Sequence, residues 1–143
     1  MKAISVSQPW AWLIVNGHCD IDNRIWKTHY RGAVLIHASR HKPNALELDR
    51  AHHLARLQGV VIPHIDTLPS GGIVGLAVIT GTCESSSSHW YMGPVGYQLT
   101  NARPLPFYPF RAQLRFFDTQ LELSGQQVFK RRQPADVWQG ARA

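Results

Sequence analysis

Gly32-Ala33-Val34-Leu35-Ile36-His37-Ala38-Ser39 is an apolar run broken only by His37. Runs of this kind, short, partly β-branched and without helical periodicity, predict a central strand buried on both faces. Gly72 to Cys83 is the other strong strand signal. Two such strands need cover, and the flanking sequence supplies it. Lys2 to Val6 reads as a short strand. A helix then runs to about Asn16, with Ser7 as its cap, Pro9 in its first turn and Gly17 as its stop. Trp10, Leu13 and Ile14 form its apolar stripe. A second helix opens at Pro43 and reaches about Leu57, turning Leu48, Ala51, Leu54 and Ala55 inward; Gly59 ends it. Val60 to Ser70 reads as a connection with one helical turn.

The C-terminal half reads as strand. Val95 to Leu105 places Tyr97, Leu99 and Asn101 on alternate positions, hence on one face. Pro104, Pro106 and Pro109 then impose an irregular, extended course, and Gln113 to Asp118 reads as a last strand. Five or six short strands and two helices predict an α+β domain around a curved sheet or small barrel. The domain is expected over residues 1–118. Residues 119–143 read as an extension, partly disordered or folded around Val128 and Trp138, with a basic cluster at Lys130-Arg131-Arg132.

Composition narrows the class. A chain of 143 residues with two cysteines, Cys19 and Cys83, has neither the size problem nor the cysteine count of a disulfide scaffold. No apolar run approaches the roughly 18 residues of a membrane span, and the first residues carry no signal-peptide core, so a cytoplasmic location is expected. No pair of the eight histidines has ligand spacing with a third partner, so no metal and no cofactor is expected. The net charge is +6. Eleven of the 15 basic residues are arginine, whose planar fork suits phosphates and base edges. The charge divides evenly between the two halves, so a few placed arginines matter more than the total.

Ser7-Gln8-Pro9-Trp10-Ala11, Gly17-x-Cys19-x-Ile21-Asp22-x-Arg24-x-Trp26, Tyr30-Arg31-Gly32 and Leu35-Ile36-His37-Ala38-Ser39 follow one another in a distinctive order. Gly71-Gly72-Ile73-Val74-Gly75 and Asn101-Ala102-Arg103-Pro104-Leu105-Pro106 continue it. The arrangement resembles the ASCH domain, of the PUA-like superfamily of small RNA-associated barrels. The resemblance implies a PUA-like β-pseudobarrel with two main helices and a cleft beside the first helix. The family's motif Gly-x-Lys-x-x-Glu-x-Arg falls on Gly17 to Arg24, with cysteine at the lysine position and Asp22 at the glutamate position. Some small relatives are amidohydrolases acting on N4-acetylcytidine and are thought to use that lysine, so Cys19 disfavours the activity here.

The candidate nucleic-acid-binding residues are Gln8, Trp10, Asp22, Arg24, Trp26, Arg31 and Ser39. Asp22 and Arg24 project to the same side of an extended strand. Gln8 and Trp10 sit at a helix start, where free N–H groups attract anions. Trp12 and Trp26 are candidates for base stacking. Lys27, His37 and Tyr97 are the candidates should the chain cleave RNA, with Thr28 and Asn101 nearby. Three functions are therefore expected in order: a module for RNA or single-stranded nucleic acid, or for a nucleotide-like ligand; a ribonuclease or nucleoside amidohydrolase; and a protein-interaction module of a coactivator-like assembly.

Overall fold

The computed structural model describes residues 1–113 and 116–131. Arg132 and Trp138 lie outside them. Eight strands and two helices are described: β1 Lys2–Ser7, α1 Trp10–Val15, β2 Ile21–Arg24, β3 Gly32–Ser39, α2 Ala45–Leu57, β4 Gly72–Cys83, β5 Val95–Pro109, β6 Phe116–Asp118, β7 Leu121–Ser124 and β8 Gln127–Lys130. The predicted α+β architecture is present as a curled six-stranded half-barrel, in the order β2-β5-β4-β3-β1-β6. β1 and β3 run parallel, Ser5 opposite His37 and Ser7 opposite Ser39; the other pairs are antiparallel.

The apolar run of β3 lies at the centre of this sheet, and Val34, Leu35, Ile36, His37 and Ala38 are all buried. β4 is covered by α1, whose Ala11, Leu13, Ile14 and Val15 are buried. Gly75 makes that approach possible: a Cβ there would collide with Val15 and stand 2.6 Å from the Arg103 carbonyl oxygen. A second, smaller core gathers Ala3, Leu35, Ile73, Leu105 and Phe117, and also Leu121 of β7. The β7–β8 hairpin thus begins against the barrel, where the Met1 ammonium donates to the Leu121 carbonyl at 2.6 Å. Arg131 pairs with Glu122 across it.

Three local expectations are corrected. α1 has six residues, and Pro9 rather than Ser7 occupies its cap position, with no side-chain cap. Gln8 takes over part of that task, its Oε1 accepting from the Trp12 N–H at 2.9 Å. α2 is capped by Asn44, whose side chain accepts from the Glu47 N–H, not opened by Pro43. β5 continues through all three prolines to Pro109. It tolerates them because its pairing with β4 shifts register three times. One shift lies at Asn101, whose φ is +49. Strand parity breaks there: Tyr97 is buried and Asn101 is exposed.

Candidate functional site

The half-barrel leaves two edges. β2 bounds one of them. On the other side the described residues of β6 pair with β1 from Lys2 to Ile4, and the Ser5 carbonyl accepts from a side chain. That side chain is Arg24, at the end of β2. Its Nε donates to Asp22 Oδ2 at 2.6 Å and its Nη2 to the Ser5 carbonyl at 2.7 Å. A side chain thus ties β2 to β1, two strands that are not neighbours in the described sheet. Arg24 also stands over the Tyr97 ring, 5.9 Å from its centroid.

Arg24 and Asn23 line two cavities in common. The first, of about 480 Å³, lies beside α1 and is walled by Ser5 to Ser7, Trp10, Cys19, Asp22, the cap residue Asn44, and Leu46, Glu47 and Arg50 of α2, with Met92 also lining it. The second, of about 460 Å³, is lined by Ile25, Trp26, Lys27, Thr28, Tyr97 and Phe116. The expected cleft beside the first helix corresponds to the first cavity.

The electrostatics of the first cavity centre on the Asp22–Arg24 pair. Asp22 is buried, and burial pushes its carboxyl up from the ordinary range while the Arg24 guanidinium opposes the rise. Guanidinium carries five N–H donors, and only two of them find partners here among the described residues. The remaining donors belong to a side chain that walls both cavities. Arg50 adds a second guanidinium at the rim, its Nη1 3.5 Å from Met92 Sδ. Trp10 is half-buried, edge-on to Trp90.

Cys19 also borders the first cavity but is inert by its surroundings. It is 4% exposed, its Sγ donates to the Ile21 carbonyl at 3.2 Å, and burial pushes the thiol up to about 12. A nucleophile needs the thiolate. None of the described residues lining this cavity is a lysine.

Other candidates are dispersed. Gln8 is 4% exposed, with one Nε2 hydrogen donated to the Pro69 carbonyl and its Oε1 accepting from the Trp12 N–H, so its amide is buried and engaged with backbone. A six-residue α1 offers no long dipole for an anion at Trp10. His37 is 1% exposed and borders none of the described cavities. Its Nε2 donates to the Phe110 carbonyl at 2.6 Å, because a carbonyl can only accept, and Ser5 Oγ lies 3.4 Å from Nδ1. The rings of Phe110 and Phe117 flank it. Arg31 is exposed and ties its Nη1 to the Thr28 and Tyr30 carbonyls, away from the cleft. Ser39 lies in a third cavity, of about 310 Å³, with Gln8 and Arg40.

Lys27 and Tyr97 line the second cavity but are committed elsewhere. Lys27 pairs with Glu84 at 2.6 Å, and the Tyr97 hydroxyl donates to the Trp26 carbonyl at 2.9 Å. Burial raises Tyr97, and Arg24 opposes that rise. Trp26 is 61% exposed beside Ile25 at the rim of this cavity. Trp12 is half-buried, tilted against the His18 ring at 5.4 Å.

Sequence reasoning missed Ser5, Asn44, Leu46, Glu47, Arg50 and Met92. The spacing Asn44-x-x-Glu47 is a helix-start signal. Reading it would have fixed where α2 begins and which of its residues lie at that end. Nothing local marks Met92.

The sequence profile of the ASCH domain matches residues 4–105. The human protein named Activating signal cointegrator 1 is 37% identical to this chain over 75 residues. Its mouse counterpart, of the same name, is 35% identical over 75 residues. Each alignment covers 50% of this chain but 13% of the relative's length. Among the described residues, no helix is long and apolar enough to cross a membrane.

Proposed function

The chain belongs to the ASCH domain family, and from that premise we propose that it binds RNA or another single-stranded nucleic acid in the cleft beside α1. The observation that carries the reading is Arg24. One donor ties it to Asp22 on its own strand and another to Ser5 on β1, and the rest find no partner among the described residues in a side chain that walls the cleft. A guanidinium fixed in this way loses little conformational entropy on meeting a phosphate or base edge. Arg50 supplies a second cation, and Trp10 an aromatic surface, in a concave space suited to an unstacked nucleotide.

The enzymatic alternatives draw less support. Acyl transfer needs an activated nucleophile, and Cys19 keeps its proton. RNA cleavage needs acid and base groups around one phosphodiester, and His37 is sealed away from Lys27 and Tyr97. The name of the cointegrator relatives belongs to proteins of which this chain spans 13%.

Fluorescence anisotropy with end-labelled random-sequence RNA tests the reading. Binding is expected at about 50 mM salt and should weaken steeply by about 200 mM, as counterion release requires. A folded sample with no affinity at the lower salt would refute it.

A further inference from the structure

The first cavity does not end in isolation. It runs along β1 to Ser7; the third cavity begins at the next residue, Gln8, and at Ser39, the register partner of Ser7. The start of α2 separates them, with Asn44, Leu46 and Glu47 facing the first and Pro43 and Leu48 facing the third. Arg40 then walls both the third cavity and a fourth, of about 700 Å³, bounded by Gly71, Pro109, Phe110 and Arg111. Three concave spaces thus follow one another from Arg24 to Arg111.

Cations mark the far part of this course. Arg40, Lys42 and Arg111 are all exposed, and none makes a hydrogen bond or ion pair among the described residues. Two carboxylates lie close by, each beside a histidine that offsets it only when protonated. His41 lies 3.5 Å from Glu47, and Asp66 lies 3.6 Å from His64. Arg40 also lies against the backbone. Gly71 has a φ of +79, and a Cβ on it would stand 2.5 Å from Arg40 Nε, so the guanidinium lies directly against that backbone. Gly71 is itself pinned, donating to the Ala38 carbonyl at 2.7 Å and accepting from the Phe110 N–H at 3.1 Å.

We infer that a single nucleic-acid strand leaves the cleft past the start of α2 and lays its phosphates on Arg40, Lys42 and Arg111. The inference rests on the proposed function and extends it: the ligand is a multi-nucleotide strand, not a lone nucleotide. Successive cations along a concave course match a repeating phosphate charge. A single nucleotide held at Arg24 would leave them without use.

The test uses the full chain and a labelled random RNA of about 12 nucleotides, within the range a small domain spans. The triple variant Arg40→Ala, Lys42→Ala, Arg111→Ala removes exposed side chains only. It is expected to weaken binding at least about tenfold at 100 mM salt. The slope of log affinity against log salt should fall by about 2, since each phosphate contact on a single strand contributes about 0.7. Arg24→Ala is the companion variant, with Arg50→Ala as a second cleft change should the first unfold. Loss in both the cleft and triple variants supports the shared path. Loss in the cleft variants alone overturns the path and leaves the cleft reading standing. Loss in the triple variant alone also overturns it, because the strand would then bypass the cleft. Unchanged binding in every variant overturns both.

Discussion

Ser5 joins two regions that each carry an ionisable side chain on a strand and behave differently in the fold. Its carbonyl accepts from Arg24, and its hydroxyl faces His37. Both neighbours are ionisable groups on strands of one sheet. His37 sits inside the sheet, between β1 and β4 at a shift in the β3–β4 register, with both ring nitrogens turned to protein groups and aromatic rings on its flanks. Arg24 sits on the edge strand β2, bridges to β1, and walls the first cavity. A polar group whose every atom is answered by protein is part of the scaffold. One with donors left over at an open edge is available for binding.

His37→Ala is the most damaging way to probe this contrast. It empties a fully buried site and leaves the Phe110 carbonyl without its donor. Cavity and lost hydrogen bond together are expected to cost about 3 kcal/mol. Urea denaturation measures the loss, while RNA affinity per folded molecule should stay within about twofold. Affinity that collapses in a variant still folded would place His37 in the binding machinery and erase the distinction. Acid should act in the same direction. Burial lowers the His37 pKa below its ordinary 6.5, and its bond to Phe110 opposes this only in part. The unfolded chain therefore binds the proton more readily, and stability present above pH 6.5 falls as pH drops through the lower folded value. His37→Gln should flatten that part of the stability profile.

Arg24→Ala comes next and should reverse the ranking. Binding is expected to weaken by about 1–3 kcal/mol, the usual worth of a specific arginine contact. Stability should fall too, since Asp22 loses its partner and β2 its tie to β1, but by less than in His37→Ala. Arg24→Lys keeps the charge and loses the fork. It should restore little of the affinity if geometry matters, and most of it if charge alone matters. Anisotropy titrations beside melting curves separate the two effects.

Much of the fold was legible because its signals are local. The β3 and β4 boundaries follow the apolar runs, and Gly17 and Gly59 follow the helices they were expected to end. The site was legible in part. Asp22 and Arg24 share a face by strand parity, and the family motif points to them. Arg31 was expected at the cleft, and its guanidinium instead meets the Thr28 and Tyr30 carbonyls, a choice that tertiary packing makes. Asn101 was misplaced because a bulge is invisible to a parity count. Gln8 reads as a free polar residue until its two backbone partners, one of them 61 residues away, are seen. Arg40 and Arg111 come together only through Gly71 and the end of β5, a contact between distant segments that no spacing announces.

Cys19 gives the smallest effect and the sharpest control. It shares the cleft wall with Asp22, yet like His37 it is answered by protein, through the Ile21 carbonyl. Its thiol is pushed up to about 12 by burial, with nearby Asp22 and Asp20 adding to the rise. A thiol held protonated in the fold and released at its ordinary 9.0 when unfolded makes stability fall as pH climbs above that value, because the unfolded chain sheds the proton first. Iodoacetamide at about pH 8 should therefore leave Cys19 unmodified in the native protein and alkylate it in urea, as peptide mass mapping would show. Cys19→Ser keeps a donor for Ile21 and should cost about 1 kcal/mol or less of stability, with RNA affinity unchanged within about twofold. Rapid native alkylation at Cys19, or a large loss of RNA affinity in the serine variant, would move this residue from the scaffold to the site.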